Sequence, residues 1–231
     1  MTLQPIDKKK NIFFYFLILL FLSTISNISL DNKSNSLLKI KHIEVNGLDI
    51  DFNTKIRKKL NYLIGQNIFF LDKKDITNKL NNINYIENYK VLKYFPSKLQ
   101  INLKKTKLLA VTFKDDKLLY VGSNKKLIYL PKKIPDKSLP MIFGDYSNED
   151  FFNLRSIMIE SKFDIKKIKE YYYFPSKRWD LKLIDEILVK LPIENINKSI
   201  NMLDKVLKEN IRGQNKIIDL RVPNQIIFSN E

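Results

Sequence analysis

His42 is the sole imidazole of a chain that has no cysteine. A histidine-based triad, a thiolate nucleophile, a disulfide and a multi-histidine or thiolate metal site are therefore all excluded. Carboxylates remain. Asp115-Asp116 and Glu149-Asp150 stand in adjacent pairs, but acid–base work needs two carboxyl groups held apart in different surroundings, and neighbours in a polar turn read as solvated. No GxxxxGK[ST], GxGxxG or GxSxG pattern occurs, which leaves no phosphate cradle and no nucleophile elbow. Trp179 and the run Tyr171 to Phe174 could stack sugars or bases, yet along a strand half of such a run must face the core. The expectation is no catalytic residue, no cofactor and no metal: a chain that offers surfaces and sheet edges.

Charge narrows the partners. The net charge is +16, carried by 36 Lys and only 5 Arg among 231 residues. Sequence-reading nucleic-acid binders favour the forked guanidinium, and here the lysines are spread along the chain instead of gathered in one tract. That distribution suits a solvated surface or an anionic membrane or wall polymer, so nucleic acid is not expected. With 44% hydrophobic and 29% charged residues, the chain has the means to bury a core.

The elements that must position any site start at the N-terminus. Lys8, Lys9 and Lys10 precede eleven consecutive apolar residues, Ile12 to Leu22, continued more weakly to Leu30. Ile12 to Leu30 approaches the ~20 residues that cross a bilayer as a helix. No small-x-small cleavage site follows, so the reading is an uncleaved anchor with residues 1–11 in the cytoplasm and everything after Leu30 outside. Residues 31–38 read as a polar linker. A strand over Lys39–Val45 has Ile43 and Val45 on one face and His42 on the other. Asn53 or Thr54 caps a helix with Ile56, Leu60, Leu63 and Ile64 inward, ended by Gly65; a second helix carries Ile76, Leu80 and Ile83. Strands Ile86–Tyr94 and Leu99–Leu103 follow around Phe95-Pro96.

The second half reads as strands at 108–113, 117–122 and 126–130, with Asp115-Asp116 as a turn, then an open loop at Pro131, Pro135 and Pro140 and a strand Met141–Phe143. A helix capped by Asn148 places Phe151, Leu154, Ile157 and Met158 inward. Strands 166–174, 178–183 and 187–191 continue an antiparallel sheet, with Asp185-Glu186 where Gly would turn more easily. After Pro192 a helix has Ile196, Ile200, Leu203 and Leu207 on one face, stopped at Arg212-Gly213. Strands 216–222 and 225–228 close the chain around Pro223-Asn224.

The order β-α-α-β-β behind an N-terminal anchor is the POTRA arrangement. IKHIEVNGL, GQNIFFLD and VLKYFPSKLQINL resemble the POTRA domain of the FtsQ/DivIB family of bacterial division proteins, and YVGS, RWDLKL, VKLP and IDLRVPNQIIF resemble that family's β-domain in the same order. The resemblance implies an α+β protein with a transmembrane helix at 12–30, a POTRA domain at 39–105 and a mainly antiparallel β-domain with flanking helices at 106–231. It implies a non-enzymatic, single-pass inner-membrane protein of the division septum, its bulk periplasmic, that links early and late division proteins. A POTRA-bearing component of outer-membrane secretion or assembly is the alternative.

A strand at a sheet edge presents unpaired N–H and C=O groups that an extended partner can complete. Here Gln225, Ile226, Ile227 and Phe228 form the expected terminal edge, with Val222 and Asn224 leading into it. By resemblance, this region holds FtsB- and FtsL-type membrane proteins, Arg221 pairs with an acidic group on such a partner, and Arg178 assists. Ile86, Tyr89 and Val91 resemble a docking edge for an FtsK-type recruiter. The last strand departs from some relatives in lacking aromatic anchors.

Overall fold

A computed structural model describes residues 8–25, 37–130, 139–209 and 216–230. Most of the linker (31–36), most of the proline loop and the Arg212-Gly213 stop lie outside these residues. By chain contacts the molecule divides into two compact units, residues 1–73 with 91–101, and residues 74–90 with 102–231.

Helix α1 (Lys8–Ile25) carries the apolar N-terminal run, and every side chain from Ile12 to Leu22 is exposed. From Ile12 to its end this helix rises about 21 Å at 1.5 Å per residue, short of the ~30 Å of a bilayer core. No helix of the described residues is long and apolar enough to cross a membrane, so the span expected to reach Leu30 is not met there. Residues 26–30 lie outside the described residues.

Strands β1 (His42–Asn46), β2 (Ile86–Tyr94) and β3 (Lys98–Lys105) form a sheet in the order β1-β3-β2. Alternation decides the faces: Ile43 and Val45 are buried while His42 is exposed, and Leu99, Ile101 and Leu103 are buried in turn. Helix α2 (Ile50–Lys59) starts before the expected Asn53 cap. The Asn53 amide instead accepts from the Leu48 N–H at 3.2 Å and donates to the Leu48 carbonyl at 2.7 Å, fixing the turn that precedes the helix. Ile56, Leu60 and Leu63 are buried as their spacing requires. Ile64 is exposed, because the chain leaves helical geometry after a short 3-10 turn at Asn61–Leu63. Helix α3 (Lys73–Asn81) buries Ile76 and Leu80.

The other sheet has nine strands: β4 (Leu108–Lys114), β5 (Lys117–Gly122), β6 (Leu127–Ile128), β7 (Met141–Phe143), β8 (Ile168–Tyr173), β9 (Trp179–Leu183), β10 (Leu188–Lys190), β11 (Ile217–Asp219) and β12 (Ile227–Ser229). Their order is β12-β11-β10-β9-β8-β7-β4-β5-β6. The sheet is mainly antiparallel, but β4–β7, β7–β8 and β10–β11 pair in parallel. Two of these pairings follow crossovers, since α4 (Asn148–Glu160) lies between β7 and β8 and α5 (Ile196–Glu209) between β10 and β11. Phe151, Leu154 and Met158 of α4 and Ile200, Leu203 and Val206 of α5 join Tyr171, Trp179, Leu181, Val189 and Ile218 in one core. Within the Tyr171–Phe174 run only Tyr171 is fully buried, against Phe151 and Trp179 in edge-to-face contacts.

The paired carboxylates have structural work. Asp115 and Asp116 take φ values of 49° and 57°, the left-handed pair that a tight hairpin between twisted strands demands. Asp150 closes a capping box with Ser147, which displaces Asn148 as the cap of α4. At the Asp185-Glu186 hairpin, Glu186 adopts φ 64° without glycine, and ion pairs to Lys169 and Lys182 hold its carboxyl down to about 2. Gly144 is different in kind: at φ +102°, an added Cβ would sit 2.1 Å from the Tyr173 carbonyl oxygen. Gly144→Ala is therefore expected to destabilise the protein by more than about 1 kcal/mol, read as a lowered urea midpoint with an unchanged slope.

Candidate partner-binding edge

The last strand is placed by a turn. Pro223 pre-sets one backbone angle, Asn224 accepts φ 62°, and the Gln225 N–H closes back on the Val222 carbonyl at 3.2 Å. Lys198 of α5 donates to the Asn224 side chain, and the Lys216 N–H donates to the Asn230 side chain at 3.1 Å, so the hairpin is tied at both ends. Of the expected Gln225–Phe228 strand only Ile227 and Phe228 are in the ladder, joined by Ser229, because Gln225 and Ile226 are spent on leaving the turn. Strand β12 ends the nine-stranded order, so its outer side meets no further strand among the described residues.

Register shows which groups are free. The Leu188 N–H donates to the Lys216 carbonyl and the Leu220 N–H donates to the Lys190 carbonyl. In a parallel ladder this directs both main-chain groups of Ile218 toward β10. Ile217 and Asp219 then turn theirs toward their partners Ser229 and Ile227 in β12. Phe228, opposite Ile218, is left with its N–H and C=O aimed away from the sheet. The side chains alternate the other way: Ile226 and Phe228 pack against the core, whereas Ile227 is exposed.

Beside this edge is a cleft of about 490 Å³ lined by Arg178, Lys198, Arg221, Ile193, Met202, Val222 and their neighbours. Arg178 and Arg221, far apart in sequence, thus share one surface. Each is held by a strand carboxylate two residues away, Asp180 of β9 and Asp219 of β11. Arg178 donates from Nε to Asp180 Oδ1 at 3.1 Å and lies 4.5 Å from the Phe174 ring centre. Arg221 donates from Nε to Asp219 Oδ1 at 2.9 Å and from Nη2 to Oδ2 at 2.6 Å. Arg221 is therefore a positioned cation, its guanidinium paired within the chain to Asp219.

The two carboxylates differ. Hydrogen bonds from Arg221 hold Asp219 below the ordinary aspartate range. Asp180 is 4% exposed, and its burial pushes its pKa up against the opposing pull of Arg178 and Arg221. Asp180, Asp219 and Lys198 escaped the sequence reading. The signal was present in Arg178-x-Asp180 and Asp219-x-Arg221, since strand residues two apart share a face.

On the three-stranded sheet, β2 is an edge, but Ile86, Tyr89 and Val91 are not equivalent along it. Ile86 is buried and its carbonyl accepts from Asn124 Nδ2 at 3.0 Å, while Tyr89 and Val91 are half-buried. Among the described residues no three His, Asp or Glu side chains are grouped so as to hold a metal ion.

Known proteins supply the remaining context. A family described as the FtsQ-type POTRA domain matches residues 38–105, and one described as the C-terminal region of cell division protein FtsQ/DivIB matches residues 110–221, stopping short of β12. Cell division protein FtsQ of Rickettsia bellii is 27% identical over 190 residues, covering 81% of this chain and 70% of that protein. FtsQ of Bradyrhizobium diazoefficiens is 23% identical over 69% of this chain and 47% of its own length. Cell division protein DivIB of Clostridium botulinum is 29% identical over 48% of this chain and 46% of its own. The chain thus spans about half the length of two of these three relatives. The extracytoplasmic domain of the division protein DivIB from Geobacillus stearothermophilus aligns with 48% of this chain at 13% identity and a TM-score of 0.34, too loose a likeness to inform the fold. Two successive matches, one to each characteristic region and in the family's order, place the chain in the FtsQ/DivIB family of bacterial cell division proteins.

Proposed function

We propose that this division protein is a non-enzymatic membrane scaffold that captures FtsB- and FtsL-type partners by strand addition on β12. The observation that carries the reading is the outward main chain of Phe228 beside a cleft lined by Lys198, by Glu194 and by two arginines, Arg178 and Arg221, that Asp180 and Asp219 hold in place. An extended segment would pair with the edge, and an acidic side chain in it would meet the cations. The apolar run from Ile12 to Leu30, flanked by Lys8 to Lys10, serves as a single-pass inner-membrane anchor with the folded part periplasmic. Through these contacts the protein would link early and late division proteins at the septum, with the Tyr89–Val91 stretch of β2 serving an FtsK-type recruiter.

The test is capture from solubilised membranes with the tagged full chain. The parent chain should recover small bitopic division proteins, and Arg221→Glu should lose about tenfold or more of them, since it leaves Asp219 unpaired and sets two carboxylates where an acidic partner side chain would dock. Equal recovery by a stably folded Arg221→Glu chain would rule out an acidic partner group docking on these cations.

A further inference from the structure

Phe69 and Phe70 are 63% and 79% exposed, and Phe95 is 59% exposed. They are not scattered. Phe69 meets Phe70 edge-to-face at 5.3 Å and lies 6.5 Å from Phe95, so three rings form one patch on the unit that contains residues 1–73. Such a cluster of exposed aromatic rings is rarely left in water without a purpose.

Its position gives the occupant. The chain enters this unit beside the patch: Lys39 bridges to Asn67 antiparallel, and the Ile68 N–H donates to the Leu38 carbonyl at 2.8 Å. The root of the segment that leads back to α1 is thus bonded to the loop that holds Phe69 and Phe70. The eleven intervening residues, 26–36, reach at most about 40 Å when extended, so this end of the unit cannot stray far from α1. The loop is also stiffened, because the Lys93 ammonium donates to the carbonyls of Phe69 and Leu71, both at 3.3 Å. Lys39 and Lys41 are exposed at the same entry, and Glu44 is taken by an ion pair with Lys98. Asp72, just after the loop, is the nearest other carboxylate in sequence. Aromatic rings rimmed by lysines are the composition of a membrane–water interface, where rings insert at the headgroup level and ammonium groups meet anionic lipid.

We infer that Phe69, Phe70 and Phe95 dock this unit onto the surface of an anionic bilayer, the one that holds α1, and so fix the unit's orientation relative to the membrane. The inference rests on α1 being a membrane anchor.

The test uses the full chain carrying Phe70→Trp, reconstituted into vesicles of phosphatidylcholine and phosphatidylglycerol with brominated acyl chains. The native Trp179 is 3% exposed in the β-rich core and provides a constant background. Emission from the new tryptophan should fall by roughly half relative to unbrominated vesicles, as an interfacial indole would. Quenching should weaken when phosphatidylglycerol is omitted or in Lys39→Glu/Lys41→Glu, and should be absent for Phe113→Trp, an exposed site on β4. Incorporation without quenching at position 70 overturns this docking and leaves the anchor standing. Failure of the chain to incorporate overturns the anchor and the docking with it. Unquenched but blue-shifted emission that grows with protein density assigns the patch to a second copy and overturns the lipid assignment.

Discussion

Phe228→Pro should weaken partner binding about tenfold or more while the fold survives, and Ile227→Pro should unfold the end of the sheet. The two positions are adjacent, and the difference comes from register alone. The Phe228 N–H faces outward, opposite Ile218, whose own groups are committed to β10. Proline there removes a donor the sheet does not use and places its ring against an incoming chain. One net hydrogen bond is worth only about 0.5–1.5 kcal/mol, so most of the expected loss comes from the clash. Phe228→Ala retains the donor and separates backbone from ring, because the Phe228 side chain packs at the margin of the core. Ile227 pairs with Asp219, and its N–H is part of the β11–β12 ladder. Proline at that position breaks a ladder bond in a three-residue strand and should lower the thermal midpoint. Titration calorimetry against a partner peptide, with denaturation of each variant, checks both. Undiminished binding by a folded Phe228→Pro chain would mean that strand addition is not the mode of capture.

The second large effect is expected at Arg178→Ala. Its guanidinium compensates Asp180, whose side chain is 5% exposed. Removing one partner of a buried pair leaves an uncompensated charge and typically costs about 3–5 kcal/mol. The double variant Arg178→Ala/Asp180→Asn should recover much of this, since no buried charge is then left alone. The pH dependence follows from the direction of the Asp180 shift. Burial raises its folded pKa above the unfolded value, so the fold favours the neutral acid. That favourable contribution is complete below the unfolded aspartate pKa, about 3.9, and is lost as pH rises through the raised folded value. Without Arg178 the folded pKa rises further, so the single variant should regain stability on mild acidification by more than the parent does. Urea unfolding across that range measures it. A pH-independent loss would show that Arg178 acts through its packing on Phe174 instead.

These effects separate what is written locally from what is not. The sequence by itself determined the family: IKHIEVNGL, GQNIFFLD and VLKYFPSKLQINL, then YVGS, RWDLKL, VKLP and IDLR, fall in order within the two matched regions. It also determined most elements, because burial follows period in Ile43/Val45, Leu99/Ile101/Leu103 and Ile200/Leu203, where a single buried face imposes the pattern. Helix starts were legible only to within a few residues. Asn53 and Asn148 have the chemistry of caps, but Asn53 bonds Leu48 and Ser147 takes the capping role, choices set by turn geometry that spacing does not carry. The chain order of the strands was visible, yet not the parallel pairing of β10 with β11, which depends on α5 crossing over the sheet. That pairing decides the site. It brings Arg221 to the cleft of Arg178 and turns the main chain of Phe228 outward. Hydrogen-bond direction along an edge strand is a property of register between distant segments, and only the tertiary structure supplies it.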